Sequence, residues 1–91
     1  MPQEEIEIRK WSNNIHKKAC ELFSDSYGKY FNEWLKVKEI LINLKRRAIK
    51  GSIESFISKF DGFGEAIKKC ILEDNPADIV EFIKKGGKIQ L

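Results

Sequence analysis

KYFNEWLKVKEILINLKRRAIK, residues 29–50, decides the fold. At 100° per residue, Lys29, Asn32, Glu33, Lys36, Glu39, Asn43, Arg46, Arg47 and Lys50 fall on one side of a helix. Tyr30, Phe31, Trp34, Leu35, Val37, Leu41, Ile42, Leu44, Ala48 and Ile49 fall on the other. The stretch reads as one long helix, half core and half basic surface. Lys38 and Lys45 divide its apolar half into two stripes: Tyr30, Trp34, Val37, Leu41, Leu44 and Ala48, then Phe31, Leu35, Ile42 and Ile49. Their stems can run between neighbouring helices and carry the ammonium groups to water. Either both stripes are core, or one is left for another chain, a second copy or a target.

The flanking segments repeat the helical period. Ser12 is placed to cap a first helix over about 12 to 24, with Ile15, Ala19, Leu22 and Phe23 on its core side and Trp11 packing back at N′. Residues 1–11, with a weak alternation at Glu4, Ile6, Glu7 and Ile8, read as a loose lead-in. Ser24 to Gly28 reverse the chain, and Gly51 ends the long helix after a basic last turn. A short helix over about 52 to 60 follows, broken by Asp61-Gly62-Phe63-Gly64. Another carries Ala66, Ile67, Cys70 and Ile71 through Glu73. Asn75, Pro76 and Asp78 supply N-cap, N1 and N3 of a last helix that Gly86-Gly87 stops, and 87–91 form a loose tail. The expectation is an all-α single domain over 1–91, a compact bundle of about five helices around a long central one.

At 91 residues, roughly 60% of the unfolded surface can be buried, a size that suits a binding module better than an enzyme. The net charge of +3 is unevenly spread. Residues 1–28, 29–50 and 51–91 carry −1, +5 and −1, so the excess sits on the long helix and suits an acidic protein surface or a nucleic-acid backbone. The acidic start at Glu4-Glu5 and the lack of a long apolar run predict neither export nor a membrane span, and two thiols outside any paired spacing predict a reducing, cytoplasmic setting.

Catalytic signals are weak. His16 and Cys20 stand one turn apart, as a thiolate nucleophile or half a metal site would require, but this is the single histidine and the remaining ligands are missing. The reading is a surface His16 and a core Cys20, with no enzyme activity, metal or cofactor. Asp61-Gly62-Phe63-Gly64 lacks the spacing and lysine of a P-loop. For nucleic-acid binding, Lys36, Arg46, Arg47 and Lys50 could reach phosphates. Phe31, Trp34, Phe56, Phe60 and Phe82 occupy core positions, which leaves Tyr27, Trp11 and Phe63 for stacking. Ile40, alone among Lys36, Asn43 and Arg47, has the make-up of a protein-binding hot spot with a charged rim. The expected partner-binding residues are therefore Lys29, Lys36, Ile40, Asn43, Arg46, Arg47 and Lys50.

The runs Lys17-Lys18-Ala19-Cys20-Glu21-Leu22-Phe23, Phe31-Asn32-Glu33-Trp34-Leu35-Lys36 and Lys50-Gly51 resemble the front half of small proteins common in Bacteroidetes genomes, phages and mobile elements. Some of those continue into a small SH3-like β-barrel, echoed here by Phe56, Lys59, Asp61-Gly62 and Glu65-Ala66. The alternative fold is thus α+β, with two N-terminal helices and that barrel half. Size, Lys and Ile content and this likeness also resemble anti-CRISPR proteins acting on a type VI-B RNA-guided nuclease. The resemblance implies a non-enzymatic inhibitor in the host cytoplasm that binds the effector protein, its guide RNA, or both, and it carries over no functional residue. The other readings are a nucleic-acid-binding accessory or regulatory protein of a mobile element, and a homodimeric scaffold.

Overall fold

The computed structural model describes residues 3–50 and 63–88, with side chains for 3–47 and 63–88. The side chains of Ala48, Ile49 and Lys50, and the helix expected over 52 to 60, lie outside the described residues. The chain is all-α. Its elements are α1 (Gln3–Phe23), a 3-10 turn (Ser24–Ser26), α2 (Tyr27–Lys50), α3 (Gly64–Glu73) and α4 (Ala77–Lys84), with no strand among the described residues. The barrel alternative fails because Glu65 and Ala66, which echoed its hairpin, lie in α3.

The first helix corrects the sequence reading. It begins at Gln3, and Ser12 lies inside it, 4% exposed, instead of capping it. The weak alternation at Ile6 and Ile8 read as a loose lead-in, yet Ile8 continues the stripe of Ile15, Ala19 and Phe23 backwards through Ser12, whose small side chain fits the same buried line. Glu4 and Glu5 in the first turn suit the positive end of the helix dipole.

The reversal is made by Ser24, at φ +53°, and not by Gly28, which is already helical. Ser26 Oγ donates to the Phe23 carbonyl at 2.6 Å and satisfies one of the orphan acceptors at the end of α1. With a connection this short, α2 folds back along α1. The acidic first turn of α1 therefore meets the basic end of α2.

The pair α3–α4 packs across both long helices. Asp74 ends α3 in the left-handed region (φ +55°), and its carboxylate accepts from Trp11 Nε1 at 2.6 Å while its carbonyl accepts from Lys18 Nζ at 3.0 Å. Asn75 Oδ1 accepts the Ala77 N–H at 3.0 Å, the side-chain cap expected of Asn75, while the first backbone bond of α4 runs from the Val80 N–H to the Pro76 carbonyl, so the regular helix begins at Ala77, one residue after the expected N1. At its end, Gly86 N–H reaches the Ile83 carbonyl and Gly87 N–H the Phe82 carbonyl, both at 3.0 Å, with Gly86 at φ +91°. This is a Schellman stop. A Cβ on Gly87 would run into the Phe82 ring, which also explains the second glycine.

The core joins Ile15, Ala19 and Phe23 of α1, Trp34, Val37, Ile40, Leu41 and Leu44 of α2, Phe63, Ile67, Cys70 and Ile71, and Ile79, Val80 and Ile83 of α4. Phe63, expected to be available for stacking, is buried with its ring centroid 4.7 Å from that of Phe82. No described buried side-chain N or O atom lacks a hydrogen-bond partner.

Candidate interaction surface on the second helix

The buried arc of α2 is rotated relative to the sequence expectation. Ile40 is 6% exposed and belongs to the core, so it is not the apolar centre of the charged face. The physical reason is that α1, α3 and α4 all contact α2, and the arc they cover runs through Val37 and Leu44 as far as Ile40. On the opposite edge, Phe31 and Leu35, assigned to the second core stripe, are 40% and 39% exposed, while Ile42 is half-buried. The Tyr30–Trp34–Leu41 stripe is core, and the Phe31–Leu35 stripe is what the fold leaves open.

The remaining expected site residues share the outward side of α2, though several have partners in the chain. Lys29 is exposed, with its ammonium 5.4 Å from the Tyr30 ring centroid. Lys36 is exposed and pairs with Glu33 at 3.1 Å, an exposed pair worth only a few tenths of a kcal/mol, about 0.3–0.5 for helical spacing. Arg46 holds Glu5 of α1 through both Nε and an Nη2–Oε2 bond of 3.1 Å, and its other terminal nitrogen donates to Asn43 Oδ1 at 3.2 Å. The hydrogen bond to Glu5 holds the guanidinium above its already high range. Arg47 is exposed. The charge excess of α2 is thus partly answered by α1, which sequence reading placed elsewhere because it treated the first residues as coil.

Lys45 does not reach water freely as expected. Its ammonium lies 4.7 Å from the Trp11 ring centroid and 3.4 Å from the Ile71 carbonyl, so it stitches α1, α2 and α3. Trp11 is therefore engaged on both its ring face and its N–H.

His16, read as a surface residue, is half-buried where α1 meets α2. Trp34 Nε1 donates to His16 Nδ1 at 2.9 Å, and His16 Nε2 lies 3.4 Å from the Tyr27 hydroxyl. Indole N–H is donor only, so Nδ1 carries the lone pair, and in the neutral ring Nε2–H donates to Tyr27. Burial, then the neighbouring Cys20 thiol, holds the Tyr27 phenol above its usual range. Burial, then the positive charge of Lys38, holds the His16 imidazole below its ordinary 6.5. The helical spacing of His16 and Cys20 was legible. Tyr27 and Trp34 as the groups that join them were not, since they depend on the α1–α2 register. With both imidazole nitrogens engaged, the knot ties two helices together and fixes the Tyr27 ring, against which the Phe31 ring packs edge-on at 5.5 Å and 75°.

Among the described residues no group of three or more His, Cys, Asp or Glu could hold a metal ion, and no helix is long and apolar enough to cross a membrane. Comparison with protein-family models, curated proteins and solved structures found no match to this chain.

Proposed function

We propose that this protein is a small non-enzymatic binding protein that presents the outward side of α2 to an acidic surface of another protein. In the setting its sequence resembles, that partner is an RNA-guided nuclease effector in the host cytoplasm, and binding inhibits it by occupying a surface it needs. The reading rests on one observation: Phe31 and Leu35 are exposed on the same helix that exposes Lys29, Lys36 and Arg47. Large apolar groups along one edge of the exposed arc of α2 and basic groups along its other edge supply the apolar and the charged parts of a protein interface.

Contact with the guide RNA alone is less well supported. Arg46, one of the phosphate contacts expected from the sequence, already holds the Glu5 carboxylate, and Tyr27, Trp11 and Phe63 are committed inside the fold. The test is capture of the guide-loaded effector by wild type and by the triple variant Lys29→Glu, Lys36→Glu, Arg47→Glu. Loss of capture by a variant with unchanged circular dichroism is expected, and undiminished capture would remove the α2 surface from consideration. A steep fall with salt would indicate phosphates, a shallow one a protein surface.

A further inference from the structure

We infer that the outward face of α1, formed by Arg9, Lys10, Asn13, Asn14 and Lys17, is a sequence-indifferent contact for the phosphate backbone of a nucleic acid. This surface is separate from the one on α2 and does not rest on the proposed function.

The face exists because α1 is helical from Gln3 onward. At 100° per residue the five residues fall within about 140° of arc, opposite Ile8, Ile15 and Ala19, and all five are exposed. None of their side chains takes part in a hydrogen bond or ion pair with a described residue. Other cations are occupied: Lys18 holds the Asp74 carbonyl, Lys45 the Trp11 ring and Arg46 the Glu5 carboxylate.

Counted as a segment, residues 1–28 carry −1, yet their acids lie toward the two ends, and residues 8–20 contain none. Glu5 is bound by Arg46, Glu7 accepts from Gln3 at 3.3 Å, and Asp74 accepts from Trp11. Glu21, one turn beyond Lys17, closes the far end. On the α2 edge Lys38, whose field reaches His16, adds positive charge, and Glu39 lies within the field of Arg46. The middle of α1 therefore presents a positive potential that the chain leaves unanswered.

The chemistry of the face selects a phosphate backbone over an acidic protein. Every exposed side chain between Glu7 and Glu21 carries a hydrogen-bond donor. The exposed large apolar side chains, Leu22, Phe31, Leu35 and Leu72, lie outside the face, and Ile6 and Cys20 at its margins are half-buried. A protein interface is built round an apolar core, whereas phosphates require only charge and donors. Arg9 to Lys17 spans about 12 Å at 1.5 Å per residue, the length of roughly three phosphates along one strand at about 3.4 Å each. The face has no exposed aromatic on which bases could stack, hence the indifference to sequence.

The probe is a fluorescent uridine homopolymer of about 20 nucleotides, titrated with the full chain by anisotropy from about 50 to about 200 mM salt. Three phosphate contacts predict a slope of log affinity against log salt of about −2 for a single strand. Arg9→Gln/Lys10→Gln/Lys17→Gln should weaken binding at least about tenfold and flatten that slope, with the melting temperature unchanged. Lys29→Gln/Lys36→Gln/Arg47→Gln removes the same charge from α2 and should weaken it less than about threefold. An adenosine homopolymer should bind within about threefold of the uridine one. Absence of binding at the lowest salt, or equal losses in the two neutralised variants, would overturn the inference. Polyglutamate of the same length bound as tightly as the RNA would also overturn it, and would mark the face as one for acidic protein.

Discussion

Trp34 Nε1 donates to His16 Nδ1 at 2.9 Å, across the seam between the two long helices, and this bond exists only while that nitrogen is unprotonated. Because the folded state holds the His16 pKa below 6.5, neutral imidazole is favoured by folding. The associated stability is complete above that value and is lost as pH falls through the lower folded value. The melting temperature of wild type should therefore drop between about pH 7.5 and about pH 5.5 more than that of His16→Asn, whose amide oxygen can still accept from Trp34 without titrating. Parallel pH curves for the two proteins would show that His16 contributes nothing to this dependence.

Trp34 is fully buried and Lys36 is exposed, so alanine at the first should cost about 3–5 kcal/mol and at the second stay within roughly 0.5 kcal/mol. Ile40 belongs with Trp34. Ile40→Ala should cost about 2–5 kcal/mol, and Ile40→Asp should unfold the chain instead of reporting on an interface. Urea denaturation midpoints check all three, and a fully folded Ile40→Asp protein would put Ile40 back on the surface.

The turn offers a paired test. Ser24 holds a positive φ that costs an L-residue about 1–2 kcal/mol, while Gly28 sits in the helix with open space where a Cβ would go. Ser24→Gly and Gly28→Ala should each raise stability by roughly 0.5–1 kcal/mol, read as an upward shift in denaturation midpoint. A destabilised Gly28→Ala protein would mean the first turn of α2 is not the helix described.

The two thiols should differ in reactivity. Burial, then the charge of Asp74, pushes the Cys70 thiol up to about 12, so at neutral pH it is almost wholly protonated as well as inaccessible. A chromogenic disulfide reagent should modify Cys20 first and reach Cys70 only in denaturant. Two equally fast thiols would show that the α3 face of the core opens readily.

Where the sequence carried a chemical punctuation mark, the elements were legible from it: α2 runs over Tyr27–Lys50 against an expected 29–50, and the Gly86-Gly87 stop is where it was expected. The start of α1 was misread because Ser12 is a good cap by type, and nothing local distinguishes a capping serine from a buried one. The rotation of α2 was not legible either. Periodicity fixes an apolar arc but not which of its edges neighbours cover, and Ile40 and Phe31 lie at opposite edges. Of the expected site, Lys29, Lys36, Asn43 and Arg47 remain on the surface, while the link from Arg46 to Glu5 required knowing that the first residues are helical.

Asp74 joins parts of the chain 63 residues apart through Trp11, whereas α1 and α2 are tied by neighbours such as Tyr27 and His16, 11 apart. Closing the short loop sacrifices far less chain entropy, so the α1–α2 hairpin is positioned to assemble first and the α3–α4 unit to dock afterwards. The Asp74 joint is then a late contact, absent when the barrier is crossed. Removing it with Asp74→Ala should leave the refolding rate nearly unchanged and appear as faster unfolding in stopped-flow fluorescence, making this one residue a determinant of how long the native state lasts.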